Sequence, residues 1–464
     1  MKSSFKAAGV ILLGAFILCM PAFYNGYPFF SYDSGTYIRS GFTGIVPIDR
    51  PLAYGLFIRH SSLFFSLWFT IYSQCIILSG VLYLLLKNII TKKEKIDFNY
   101  LIIIVSLTFF TNIGWCVDQI MPDIFAPILI ISFINLLVVK NLTVIKLFFL
   151  APVFILSCTT HLTHLLMAII ASSLLLITLF FYRKIRGVLL YSKKVLIISL
   201  LSIVSLFAVL MINYTHENGG GFKLSRGSHV FLMAHFIEMG TMEEFLKENC
   251  DKPEFKDCKT CLYKDSLEHS LDEYLWSWNG TLAKTGGWDG SEKEHNFILK
   301  KMFSDINFLV KNIYGSIRFG LTELCLITIG DGIYPLDKTT PPGIEIKNYY
   351  PDELNTFMRS KANTEPYLVT KFDTVNYLNI LLLIISGCVI LYYFLYKKNR
   401  NREYFLGLLL ISFVVLNALI TAGLNAPCPR FQSRVVWLIP LFLFVIVLNN
   451  KTYILKYCKD QFPR

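Results

Sequence analysis

Long unbroken apolar runs alternate with short polar interruptions over most of this chain. At about 20 residues per bilayer crossing, runs near 7–23, 62–86, 100–117, 123–139, 147–160, 162–182, 195–213, 377–396, 404–424 and 435–449 predict ten membrane-spanning helices. The 147–182 pair is divided only by Thr159-Thr160-His161, and the mixed polarity of 303–335 fits an interfacial or re-entrant helix. Between the seventh and eighth runs the chain stays polar from about Asn213 to Phe372. That stretch holds 18 Lys plus Arg and 23 Asp plus Glu between His216 and Lys371, with Trp276, Trp278 and Trp288. Such aromatic content predicts folding rather than a dangling linker. The pattern predicts an all-α polytopic membrane protein in three parts: membrane module 1–213, an extracytoplasmic, mostly α domain 214–372, and membrane helices 373–464.

Composition supports this and excludes two classes. With 54% hydrophobic and 16% charged residues, the chain falls well short of the ~25% charge of soluble proteins. The net charge of +12 is not gathered on one polar domain, so nucleic acid is not the expected partner. Position explains it better. With the N-terminus in the cytoplasm, the cytoplasmic connections and termini hold 21 Lys plus Arg, and the short external loops hold five: Arg39, Arg50, Arg59, Arg430 and Arg434. This bias predicts cytoplasmic N- and C-termini, in a bacterial inner membrane with the other face periplasmic. The first run follows Lys2 and Lys6 and lacks a small-residue cleavage pattern, so it is expected to remain as an uncleaved helix.

Candidate chemistry collects on the external side. The first external loop, 24–61, exceeds what a turn requires and contains Ser31-Tyr32-Asp33-Ser34-Gly35-Thr36-Tyr37 and Asp49-Arg50-Pro51-Leu52-Ala53-Tyr54-Gly55. An acid close to hydrocarbon is costly and points to function; helix capping explains Asp33 but not Arg39, Arg50 and Arg59 beside it. Asp118 and Asp123 are assigned to the same face, and Pro122-Asp123 is also good helix-start chemistry. His161 and His164 read as a hydrogen-bonded pair lining an aqueous cavity, since no third metal ligand follows at suitable spacing. The run Gly219–His229, containing Arg226, is either a phosphate-cradling turn or a hinge. Arg430 and Arg434 either snorkel to head groups or grip a phosphate. Cys19, Cys75, Cys158 and Cys388 fall in apolar runs as packing residues. Cys250 is expected to bridge Cys258 or Cys261.

Asp33, Tyr37 four residues on, and Arg50-Pro51-Leu52-Ala53-Tyr54-Gly55 entering the second helix together resemble the GT-C superfamily of membrane glycosyltransferases. The likeness is greatest to the branch holding protein O-mannosyltransferases and lipid A aminoarabinose transferases. Leu52 departs from the second Pro of that pattern, and the acid some members carry beside the first Asp is missing. The resemblance implies inverting transfer of a sugar or short glycan from a polyprenyl phosphate or diphosphate to a protein, lipid or glycan acceptor on the external face. It implies Asp33 as base, Asp123 as second acid, and Arg226, Arg430 and Arg434 as donor-phosphate ligands. Tyr37, Arg50, Tyr54, Asp118, His161, His164 and His229 become candidates for orienting the acceptor. No metal site is read from the residues, although some superfamily members use a divalent cation. Two rivals stand beside this reading: a transporter or flippase for a lipid-linked glycan, and a non-catalytic assembly scaffold.

Overall fold

The structure, a computed structural model, describes residues 2–91, 94–181, 189–365, 368–396 and 401–461. Basic residues expected in cytoplasmic loops at 92–93, 183–188 and 397–400 lie outside these. Among the described residues there are helices and no strands; a lone bridge pairs Phe29 with Gln119. Six helices among the described residues are long and apolar enough to cross a membrane: Leu67–Ile89, Leu162–Phe181, Ser192–Thr215, Phe372–Leu395, Glu403–Leu424 and Pro429–Asn450. The chain is therefore a multi-pass, all-α membrane protein. Shorter apolar helices occupy Phe5–Leu18, Ile96–Phe110, Pro122–Val138 and Val144–Thr159.

Polar contacts sort into two ends of the bundle. At one, Lys6 pairs with Asp97 at 2.9 Å, Lys194 Nζ donates to Leu137 O at 3.0 Å, and Asn449 joins Thr91 to Glu403. At the other, the loops following the first, third, fifth and ninth apolar runs converge, and the candidate residues sit there. Between the ends the packing is mainly apolar, with buried polar groups that find internal partners, such as Asn135, whose Nδ2 donates to Val81 O at 2.9 Å.

Two short helices, Tyr32–Thr43 and Ala53–Ser61, fill the loop after the first apolar run. They cross so closely that a Cβ on Gly41 would lie 2.1 Å from Gly55 O. The polar segment 214–365 divides in two. Residues 228–308 bury their own core around Met233, Phe245, Tyr274 and Met302. A disulfide joins Cys250 to Cys261 there, while Cys258 stays free and buried. Residues 341–364 instead dock onto the membrane module. Glu353 accepts hydrogen bonds from Tyr27 (2.6 Å), Ser66 and Leu67 N, and Ala362 N donates to Asn25 Oδ1 at 2.8 Å. The 303–335 region forms the helix Ile306–Glu323, which packs along Asn401–Leu424; a Cβ on Gly320 would sit 2.6 Å from the Leu419 side chain.

Candidate active site

Ser31 starts the Tyr32–Thr43 helix: its N–H donates to Ser34 Oγ at 3.0 Å, completing a capping box. Asp33 consequently lies in the first turn, at the positive end of the helix dipole. The glycine crossing brings the following loop back, so that Arg50 Nη2 reaches Asp33 Oδ1 at 3.1 Å. Asp49 fixes Arg50 from the other side, accepting from Nε at 2.9 Å. The Arg50 guanidinium rests 5.0 Å from the centre of the Tyr37 ring, a cation–π contact.

Asp123 belongs to the turn Pro122–Ile124 and is buried. Its Oδ1 accepts from Arg434 Nη1 at 3.0 Å, and Arg434 Nη2 donates to Asn417 Oδ1 at 3.2 Å. Arg434 is only 1% exposed. Such a pair is a fixture, because removing either partner strands a charge.

Arg430 differs from both. Its Nη2 is 3.6 Å from Asp33 Oδ2 and its Nε 3.9 Å from Asp123 Oδ1, both beyond hydrogen-bond length. Its Nε is buried without a hydrogen-bond acceptor among the described residues. Three carboxylates (Asp33, Asp49, Asp123) thus meet three guanidinium groups; Arg50 and Arg434 donate hydrogen bonds, Arg434 leaving only Nε without one, whereas Arg430 makes no side-chain hydrogen bond among the described residues.

These groups open onto a cavity of about 440 Å³, within the size range of small-molecule sites. Asp33, Tyr37, Arg50, Asp123, His161 and Arg430 line its floor. Its roof comes from the 228–308 core: Ser228, Phe231 and Leu232 share one face of the helix Ser228–Glu238, and Leu271, Asp272, Leu275 and Trp276 come from Leu271–Trp276. Burial alone would raise the Asp33 carboxyl, but Arg50 and then Arg430 outweigh it and hold it below its ordinary range. Burial, reinforced by Arg434, pushes His161 down to about 3, so it is a neutral imidazole; its Nδ1 lies 2.8 Å from Thr163 Oγ1.

The remaining candidates lie elsewhere. Arg226 sits between the lining residues Ser225 and Ser228, but its guanidinium turns away to Asp289 (2.6 Å) and Asn218 O (2.7 Å). Tyr54 is buried behind Tyr37 and donates to Gln74 Oε1 at 2.7 Å. Asp118 is buried away from the cavity, accepting from Ala22 N at 2.7 Å. His164 contacts Ser157 O at 3.1 Å inside the bundle, and His229 faces His295 at 3.1 Å inside the outer core. Asp49, Phe231, Leu232, Asp272 and Leu275 also line the cavity, and no motif in the sequence points to the last four. Asp49 was within reach, since an Asp-Arg dipeptide in a loop that already holds Asp33 implies a clamp; the roof residues carry no comparable local signal.

Asp33 and Asp123 form no three-ligand metal cluster; the cluster found among the described residues is Cys19, Cys75 and Asp118, away from the cavity. No protein-family model, curated protein or solved structure matches the chain.

Proposed function

We propose that the protein is an inverting membrane glycosyltransferase of GT-C type, moving a sugar or short glycan from a polyprenyl phosphate or diphosphate onto an acceptor hydroxyl. The observation that carries this reading is Arg430, a half-buried guanidinium that makes no side-chain hydrogen bond among the described residues and is held loosely between two carboxylates at the cavity. The proposal includes ten membrane crossings, cytoplasmic termini and a periplasmic active site in a bacterial inner membrane. The six long and four shorter apolar helices support the count, and the basic bias supports the orientation.

In this mechanism the donor phosphate takes the free face of Arg430 and places the anomeric carbon above Asp33. The acceptor hydroxyl oxygen forms its bond to that carbon from the opposite side, its proton passes to Asp33, and the carbon–oxygen bond to phosphate breaks with its electron pair leaving on the phosphate. Ligand binding also strengthens the base. A phosphate on Arg430 withdraws one of the two cations that hold Asp33 acidic, so its proton affinity rises when the substrate is in place. Arg50, clamped by Asp49, keeps the carboxylate aimed. Asp123, with Arg434 behind it, orients the acceptor, and His161 supplies a neutral hydrogen-bonding group.

The test is glycan and glycoprotein mass spectrometry of a deletion strain complemented with wild type or Asp33→Asn. Wild type is expected to restore one missing modification and the variant to lower it by about 100-fold or more, the size of a lost general base. Full restoration by Asp33→Asn would remove the assignment.

A further inference from the structure

Behind the site, three potential ligands from distant parts of the chain meet in the buried interior. Cys19 follows the first helix, Lys2–Leu18, Cys75 lies within Leu67–Ile89, and Asp118 follows the short helix Ile113–Val117. All three are buried, Cys19, Cys75 and Asp118 each at 0% exposure. Cys19 Sγ and Cys75 Sγ are 3.3 Å apart, Cys75 Sγ is 3.7 Å from Asp118 Oδ1, and all the ligand atoms lie within 4.8 Å of one another.

Tetrahedral zinc, with Zn–S of about 2.3 Å and Zn–O of about 2.0 Å, sets its ligand atoms about 3.5–3.8 Å apart. The Cys19–Cys75 and Cys75–Asp118 spacings are within about half an ångström of these values, and with all the ligand atoms inside 4.8 Å local side-chain shifts seat the ion. Asp118 is further prepared as a ligand. Its Oδ2 accepts the Ala22 N–H at 2.7 Å, a supporting hydrogen bond that turns Oδ1 toward the sulfurs. What the carboxylate lacks is a cation. No ion pair reaches Asp118 among the described residues, and Oδ1 has only the Cys75 thiol, a weak donor. A fully buried carboxylate in that condition is costly, and paired thiolates select a thiophilic ion such as zinc.

We propose that Cys19, Cys75 and Asp118 supply three ligands to a bound zinc ion, the fourth position being left to a water. The ion ties the kink after the first helix to Leu67–Ile89 and to the segment that carries Asp123 five residues later. Bound there it is separate from the cavity and takes no part in transfer.

Elemental analysis of the full chain, purified in detergent without chelator from zinc-supplemented cells, tests this. About one zinc per chain is expected in wild type, with loss of at least 90% of it in Cys75→Ser and in Asp118→Asn. Cobalt exchanged into wild type is expected to show thiolate-to-metal charge-transfer absorption, a readout that does not depend on the variants folding. Zinc below a tenth of an equivalent in folded wild type would overturn the proposal, as the result for a simply protonated Asp118. So would a Cys19–Cys75 disulfide found by peptide mass mapping.

Discussion

The floor and the roof of the cavity handle buried ionisable groups in opposite ways. On the floor, charge is kept by pairing: Asp33 with Arg50, Asp123 with Arg434, and Arg430 between them. In the roof domain, charge is avoided. His295 lies between His229 Nδ1 and the Tyr274 hydroxyl, and burial pushes it down to about 3. His235, between Asn425 O and Ser316 Oγ, is pushed down to about 4, again by burial. Under the proposed function the floor meets an anion and keeps its cations ready at the cost of desolvation. A region that covers the site needs only a stable core.

The largest effect expected from breaking this contrast is at the fixed pair. Arg434→Met leaves Asp123 buried without its counter-ion and should cost about 3–5 kcal/mol, read by thermal unfolding in detergent. A variant that unfolds like wild type would show that Asp123 is not held as an ion.

Arg430→Gln should behave otherwise, because this guanidinium is not committed to its neighbours. Losing a charged hydrogen-bond partner of a phosphate costs about 1.5–3 kcal/mol, or roughly 10- to 150-fold in donor affinity, with little change in thermal stability. Arg226→Gln, whose side chain is engaged with Asp289, should leave donor affinity within about twofold. Equal losses in both variants would erase the distinction between free and committed arginines.

Acid should separate the two regions. An unfolded histidine takes a proton near pH 6.5, whereas folded His235 refuses one until about 4. Between those values the unfolded chain binds more protons, so stability falls as pH falls, by about 2 kcal/mol for this residue at pH 5. The depressed His295 acts in the same direction. Hydrogen exchange at pH 7.5 and 5, corrected for intrinsic rates, should show protection lost in 228–304 before 32–61. The acid limb of transfer assigned to Asp33 should lie below the ordinary carboxylate range, and Arg50→Gln should move it upward. The smallest effect is expected at the other end of the bundle: Lys6→Ala breaks an exposed pair with Asp97 and should cost under about 1 kcal/mol.

What could be read from the chain follows the same division. Apolar run length located the long helices, since a bilayer imposes a length that no other environment does. Asp33, Arg50, Asp123, His161, Arg430 and Arg434 stood out because each places polarity or charge where hydrocarbon ends. The roof was not legible: Phe231, Leu232, Leu271 and Leu275 are ordinary core residues by sequence, and only packing turns one face of each helix toward the cavity. Arg226 shows the converse, a local motif of glycines, Ser and Arg whose guanidinium was taken by Asp289, 63 residues away. The Cys250 partner was open between two neighbours; in the fold Cys261 bridges it, while Cys258 turns its Sγ to Glu294 at 3.6 Å.

The central claim, that Arg430 receives a lipid-borne phosphate beside Asp33, is tested most directly by a cryo-electron microscopy structure with a non-transferable polyprenyl-phosphate sugar analogue. The account predicts the phosphate against the Arg430 guanidinium, the anomeric carbon within reach of an acceptor oxygen hydrogen-bonded to Asp33, and Arg434 still on Asp123. Analogue bound elsewhere, with Arg430 still resting between the two carboxylates, would contradict it.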